Sequence, residues 1–507
     1  MVRITDDILY RVEKPSRYVG GELNEVIKDP KEVDIRFGFC FPDVYEVGMS
    51  HLGSRILYHV LNQRKDTYCE RVYAPWPDME KLMRENNIPL YALETKDPIN
   101  EFNFLAFTLQ YEMSYTNILN MLNMGGIPLR ASERTEKDPL VIAGGPCAYN
   151  PEPLYDIVDI FQLGEGEEGL NDLLDLYQKH KDNFNKEAYL REASHIPSVY
   201  IPSLYDVTYN EDGTIKEFIP KYDDVPKKVK KRIINNFDQV DFPESLIVPY
   251  SEIVHDRVVL ELFRGCTNGC RFCQAGMIYR PVREKSRKTL LDQARKMLKA
   301  TGYDEVSLVS LSTCDYSDIQ GLVKDLIEEH GKNNVSVALP SIRVDAFSVD
   351  LLKEIQKVRK TGLTFAPEAG SQRMRDVINK GLSEERILEA AKNAFESGWS
   401  TIKLYFILGV PYETVEDAAE IGLLAEKIAD QYFAVPKHIR NKGLRITVST
   451  SILVPKPFTP FQWAPMEKMD IVTEKINAVK GAIKSRSIVY NYHEQKTSYM
   501  EAVLARG

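Results

Sequence analysis

Short apolar runs alternate with helical patterns along most of this chain. Ile35–Phe41, Phe104–Leu109, Leu140–Ala143 and Ile157–Leu163 have the length and apolar character of strands. Between them, apolar residues recur at helical spacing, as with Leu52, Ile56, Leu57 and Val60. Strands alternating with helices predict βαβ units and a mainly parallel sheet. The rhythm breaks over residues 191–250, where Asp212-Gly213 sits between two strand-like runs and predicts a β-hairpin. It resumes near residue 251. Val258–Phe263, Val306–Val309, Val335–Leu339, Leu363–Phe365, Ile402–Leu408 and Leu444–Val454 form a series of strands with helical patterns between them. These strands are apolar on both faces, as a covered parallel sheet or barrel requires. Handedness rules wind such a series into a right-handed sheet or a partial barrel. The expectation is an α/β protein with pieces at 1–190, 191–250, 251–460 and 461–507.

Length and composition agree with that division. A domain usually takes roughly 100–200 residues, so 507 residues predict two to four. The formal net charge of −9 argues against a surface coated for nucleic acid. One basic run, Lys227-Lys228-Val229-Lys230-Lys231-Arg232, is expected to be a solvated linker face, with an RNA- or substrate-binding strip as the alternative. No apolar run is long enough to span a bilayer, and Met1–Asp7 lacks the apolar core of a signal peptide. The expected setting is cytoplasmic, without a membrane partner.

Cysteine spacing brings in chemistry. Cys40, Cys69, Cys147 and Cys314 are scattered, whereas Cys266, Cys270 and Cys273 fall within eight residues. Such a pattern is too sparse for a disulfide scaffold. Three thiolates in a Cys-x3-Cys-x2-Cys array can wrap one compact metal centre, and soft thiolates select zinc or an iron–sulfur cluster. Structural zinc needs four protein ligands, and no second pair lies nearby; His255 would have to be recruited from across a strand. Gly265 and Gly269 let the loop turn tightly and turn N–H groups towards sulfur. The cluster follows the first strand of the parallel series, and sites in parallel α/β folds lie at the carboxyl ends of strands.

Cys266-x3-Cys270-x2-Cys273 after the first strand of a (β/α)6 series resembles the radical S-adenosylmethionine (SAM) superfamily. The resemblance implies a [4Fe–4S] cluster held by the three cysteines, with the fourth iron open to SAM. It implies reductive cleavage of SAM to a 5′-deoxyadenosyl radical that acts on an unknown substrate, small molecule or RNA. An electron donor such as flavodoxin or ferredoxin is implied as a partner. Downstream, Phe365–Arg373 resembles the Glu-x-Gly-Ser stretch of methylthiotransferase-like members, and Asn379-Lys380-Gly381 follows at the family's usual place. Ile407–Thr414 resembles the fifth-strand Gly-x-Pro-x-Glu-Thr segment that meets adenine. The implied SAM contacts are Ser310, Ser312, Ser341, Arg343, Glu368, Gly409, Val410 and Pro411. No catalytic residue beyond these is assigned.

The first domain resembles the flavodoxin-like, cobalamin-binding-like domain that precedes the barrel in one uncharacterised group of long radical SAM proteins. Gly144-Gly145-Pro146 and Gly164-Glu165-Gly166-Glu167 carry that likeness. The cobalt-ligating Asp-x-His-x-x-Gly is absent; the loop reads Asp43–Gly53, and His51 falls at the wrong spacing. Cobalamin without a histidine ligand, a vestigial scaffold and a substrate-docking domain all stay open. Two other functions stay open as well. One is a tRNA methylthiotransferase-like enzyme, for which Arg280–Arg287 is a similar basic stretch; the other is a zinc-stabilised binding protein without catalysis. Val454–Trp463, rich in proline and aromatic residues, is expected to run extended and could cover the barrel mouth.

Overall fold

A computed structural model describes residues 2–339, 363–441 and 443–506. Ser341 and Arg343 lie outside the described residues. The chain forms two compact units, one from Met1–Asp256 and one from Arg257–Leu298 with Gly302–Arg506. Among the described residues, no helix is long and apolar enough to cross a membrane.

The first unit is built on strands β1 (Ile35–Phe41), β2 (Thr67–Tyr73), β3 (Phe104–Thr108), β4 (Leu140–Gly144), β5 (Ile160–Gln162) and β6 (Val199–Tyr200). They lie in the order β2-β1-β3-β4-β5-β6. All pairs are parallel except β5 with β6. The core strands are buried almost throughout, which explains why they carry apolar runs and no alternation. An order of 2-1-3-4-5 is that of flavodoxin-like folds, which place a ligand crevice where β1 and β3 diverge. Helix α1 (Leu52–Asn62) follows β1, and His51 caps it: its Nδ1 accepts from Ser54 N at 3.1 Å.

Residues 191–250 carry more than a linker. Strand β6 extends the first sheet, and the expected hairpin forms from β7 (Tyr205–Tyr209) and β8 (Ile215–Pro220). Arg232, at the end of the basic run, bridges to Gly164 and pairs with Asp172.

The second unit begins with β9 (Val258–Glu261), followed by the short strands β10 (Phe263–Arg264) and β11 (Arg283–Glu284). Then come β12 (Glu305–Val309), β13 (Ser336–Ala338), β14 (Leu363–Glu368), β15 (Thr401–Leu408), β16 (Arg445–Ile452) and β17 (Ile488–Tyr492). One parallel sheet has the order β13-β12-β9 and a second has β14-β15-β16-β17. Leu444–Val454 was expected to close the series. Instead β17, from the C-terminal segment, pairs in parallel with β16. It is short and exposed at three of its five positions, so its apolar signal is weak.

Helix α2 (Val415–Ala434) covers β15 and β16. Its Ile421, Leu424, Ala425 and Ile428 pack with Leu404, Phe406, Ile446 and Val448 in one core. Each such aliphatic side chain contributes about 1.5–3 kcal/mol on full burial. That core fixes where β14 and β15 end, and so where their exit loops stand.

Candidate metal centre and its surroundings

Cys266, Cys270 and Cys273 ride on one loop whose base is fastened by β10 and β11. Phe263 pairs with Glu284 and Arg264 with Arg283 in antiparallel register. Gly265 starts the loop at φ +92°, and a Cβ there would stand 2.6 Å from the Pro281 carbonyl oxygen. Only glycine fits that turn. Gly269, at φ +71°, makes the second turn between Cys266 and Cys270.

All three thiols are partly exposed. Backbone and side-chain amides point at sulfur: Gly276 N donates to Cys273 Sγ at 3.4 Å, and Asn268 Nδ2 to Cys266 Sγ at 3.3 Å. Burial pushes the Cys273 thiol up. Among the described residues, no three His, Cys, Asp or Glu side chains gather tightly enough for a single metal ion. Three soft donors on one loop, with N–H groups directed at sulfur, fit an iron–sulfur cluster.

The loop is tied to the exit of β14. Arg271 N donates to Ile378 O at 2.9 Å, and Asn379 Nδ2 to Gly269 O at 3.0 Å. Phe272 packs on a small core of Ala369, Met374, Ile378 and Val410, with Phe461 beside it. The loop also meets the proline-rich strap, through Gln274 Nε2 to Pro457 O at 3.3 Å and Phe461 N to Arg271 O at 3.4 Å.

Two strand exits frame this loop. Strand β14 holds Pro367, which cannot donate to the ladder, and its register with β15 shifts between Phe365 and Glu368. Glu368 ends the strand at φ +67°, a left-handed conformation that costs a non-glycine residue about 1–3 kcal/mol. Burial pushes its carboxyl up, against the opposing pull of Lys380, whose Nζ lies 3.1 Å away. Just past β15 stands Gly409, φ +77°, whose N–H donates to Glu413 Oε2 at 2.7 Å.

Asp417 joins the two exits. It accepts from Ser371 Oγ at 2.7 Å on the β14 side and from Thr414 N at 3.0 Å on the β15 side, and it pairs with Arg373. Burial opposes its charge, yet the bonds from Thr414, Ser371 and Arg373 hold its pKa down at about 2. Arg375 is fully buried and donates to the carbonyls of Ala369 at 3.1 Å, Gly370 at 2.7 Å and Leu382 at 3.0 Å. It moulds the loop that carries Glu368.

Residues 260–425 match the family described as the radical SAM superfamily, and residues 53–202 match the family of radical SAM protein N-terminal regions. The chain belongs to the radical SAM superfamily. Its second unit is that superfamily's partial (β/α)6 barrel, its first a flavodoxin-like domain, and its cofactors are a [4Fe–4S] cluster and SAM.

This radical SAM protein is 29% identical to an uncharacterized protein of Methanocaldococcus jannaschii over 471 residues, 92% of this chain and 87% of that one. It is 26% identical to a ribosomal protein uS12 methylthiotransferase of Treponema denticola, over 43% of this chain and 50% of that one. Among solved structures, the radical SAM methyltransferase TsrM of Kitasatospora setae, with cobalamin and a [4Fe–4S] cluster bound, matches with a TM-score of 0.54. That likeness, at 12% identity over 84% of this chain and 76% of that one, is one of fold.

Not every expected SAM contact of the radical SAM unit stands alike. Glu368, Gly409, Val410 and Pro411 lie on the two exits joined by Asp417, and Val410 packs in the core shared with Phe272. Ser310 and Ser312 lie after β12. Ser310 Oγ accepts from Ser312 N at 3.3 Å, and Ser312 is buried. The turn that carries them reaches the cysteine loop through Asp315, whose Oδ2 accepts from Asn268 Nδ2 at 3.2 Å. Asp417, Arg375 and Asp315 escaped sequence reasoning. Thr414-x-x-Asp417 before an apolar run is a helix-start signal that could have found the first.

In the first unit, His51 is committed to its cap, and burial drops its pKa to about 4. Its Nδ1 also lies 2.7 Å from Ser54 Oγ. The cap engages Nδ1, and the residues around His51 do not have the spacing of the cobalt-ligating motif. Cys40 and Cys69 are buried within β1 and β2, and Cys147 is buried after β4.

Proposed function

We propose that Cys266, Cys270 and Cys273 hold the [4Fe–4S] cluster of this radical SAM enzyme, and that SAM lies across Glu368–Ser371 and Gly409–Pro411. One observation carries the reading: the cysteine loop, the β14 exit and the β15 exit are tied together by direct hydrogen bonds and one small core. When bound, a cluster with three protein ligands leaves one iron for SAM and delivers the electron that cleaves it to methionine and a 5′-deoxyadenosyl radical.

The chain's own residues supply place and surroundings. The fastened loop sets the three thiols. Asp417 holds both exits in register, so that one ligand can touch both. Glu368 and Lys380 offer a carboxylate and an ammonium in a partly buried setting, where either can meet the charged groups of an amino acid. Phe272, Val410 and Phe461 exclude water from one side of the loop. The reaction needs a reductant, and a small flavodoxin or ferredoxin fills that role. The first unit offers the carboxyl ends of β1 and β3 to the substrate or to a corrinoid held without His51.

Anaerobic reconstitution with iron and sulfide should give about four irons per chain. Dithionite and SAM should then yield 5′-deoxyadenosine, measured by chromatography and mass spectrometry. The reading is overturned if a variant with all three cysteines changed to alanine still cleaves SAM.

A further inference from the structure

The C-terminal segment reaches into the framework of the β15 exit. Lys475, on the helix Met469–Ala482, is almost wholly buried. Lysine is seldom so buried without a partner. Here Nζ lies 3.1 Å from Glu413 Oε2 and 3.0 Å from Glu467 Oε2. Glu413 Oε2 in turn takes the Gly409 N–H at 2.7 Å. Glu467 packs over the same turn: a Cβ on Gly409 would stand 3.1 Å from Glu467 Cβ.

The segment is itself pinned. Tyr499 donates to Glu467 O, Lys456 Nζ pairs with Glu501 at 2.8 Å, and Arg506 donates to Ala464 O at 2.9 Å. An unbroken series of contacts thus runs from the last helix to the amide of Gly409.

We infer that Lys475 is a positioning residue for SAM: it holds Glu413 in the form and place that fix the Gly409–Pro411 backbone, so that the C-terminal segment belongs to the catalytic unit. The inference rests on the reading of Gly409–Pro411 as part of the SAM cradle. Glu413 is faced by Lys475, Glu467, Asp417 and Tyr490. Lys475 supplies the only cation among these four. Without it, a buried carboxylate stands among acidic groups, and the turn it holds must shift or take up a proton.

The test uses the full-length, anaerobically reconstituted protein and SAM as the probe, with affinity read by equilibrium dialysis. Lys475→Met should keep the wild-type iron content and bind SAM about tenfold more weakly at pH 8, recovering as the pH falls towards 6. Lys475→Arg, which keeps the cation, should bind within about threefold of wild type. The double variant Lys475→Met/Glu413→Gln, which strands no charge and keeps an acceptor for Gly409, should regain most of the affinity with little pH dependence. Unchanged affinity in Lys475→Met, even with a lowered melting temperature, overturns the inference. So does a double variant that binds as weakly as the single one, and this variant also decides the matter if Lys475→Met fails to fold. Glu368→Gln, measured beside them, separates the two readings. If it weakens SAM binding while Lys475→Met does not, this inference alone fails; if it leaves binding unchanged, the cradle itself is misplaced.

Discussion

In the first unit, the polar groups beside β1 and β2 are spent on one another. Arg71, buried, holds Glu22 at 2.7 Å, Glu25 at 2.8 Å and Glu94 at 2.6 Å, and His51 caps the helix that follows β1. In the second unit, the polar groups at the strand ends are spent on loops. Asp417, Arg375 and Lys475 bind main-chain atoms of exit turns or the residues that hold them. Glu368, Tyr412 and Phe458 take left-handed backbone angles on the loops around the cysteines, as Lys96 and Ser198 do in the first unit. Strain of this kind persists where surrounding structure over-determines it, and it concentrates at functional sites. Two α/β layers built by the same rules thus commit their polar groups differently. In the first unit these groups brace the scaffold beside β1 and β2, and in the second they shape the loops beside the cysteines.

Substitutions can break that contrast. The largest effect is expected from Cys270→Ala, which should lower bound iron and bring 5′-deoxyadenosine formation below detection, while the circular dichroism spectrum stays native. Next, Arg71→Met should strand three buried carboxylates and destabilise the first unit by about 3–5 kcal/mol, read by urea denaturation. Iron binding by the folded protein should be unchanged; loss of iron there would erase the contrast between the units.

Asp417→Asn should cost about 1–2 kcal/mol through the lost cap and the lost tie to Ser371, and it should weaken SAM binding several-fold. Its pH dependence has a definite sign. Asp417 has a pKa of about 2 in the fold, below the ordinary 3.8. Its contribution is therefore present above pH 3.8 and lost as the pH falls through about 2. The gap in stability between wild type and Asp417→Asn should narrow over that window. The smallest effect is expected from His51→Ala: about 0.5–1 kcal/mol of helix-cap stability, and no change in hydroxocobalamin uptake measured by absorbance. A loss of uptake would make His51 a corrinoid ligand and move it into the chemistry.

Part of the fold was legible because parallel strands buried on both faces must be apolar runs, as β1, β3 and β4 are. Strand β2, which carries Glu70 and Arg71, was not legible as a strand, and β14, β15 and β16 alternate in burial where both faces were expected to be covered. The short strands β10, β11 and β17 were not legible either, since two to five residues with exposed positions carry no period. The three cysteines were legible as a spacing. Glu368 and the Gly409–Pro411 turn were legible only as likenesses in register after successive strands. Asp417 carries a local helix-start signal, but its ties to Ser371 and Arg373, like the contact of Lys475 with Glu413, cross sequence separations that no local pattern reports.

The pairing of β10 with β11 has one more consequence. Because Phe263 meets Glu284 and Arg264 meets Arg283, the three thiols proposed to hold the cluster, one on each of three irons, sit on a single closed loop. Once the first thiolate has bonded, the second and third act at an effective concentration set by a short closed loop, not by the bulk solution. Iron should then be gained and lost in one cooperative step, and a dilute chelator should strip it slowly until something prises that two-rung ladder apart.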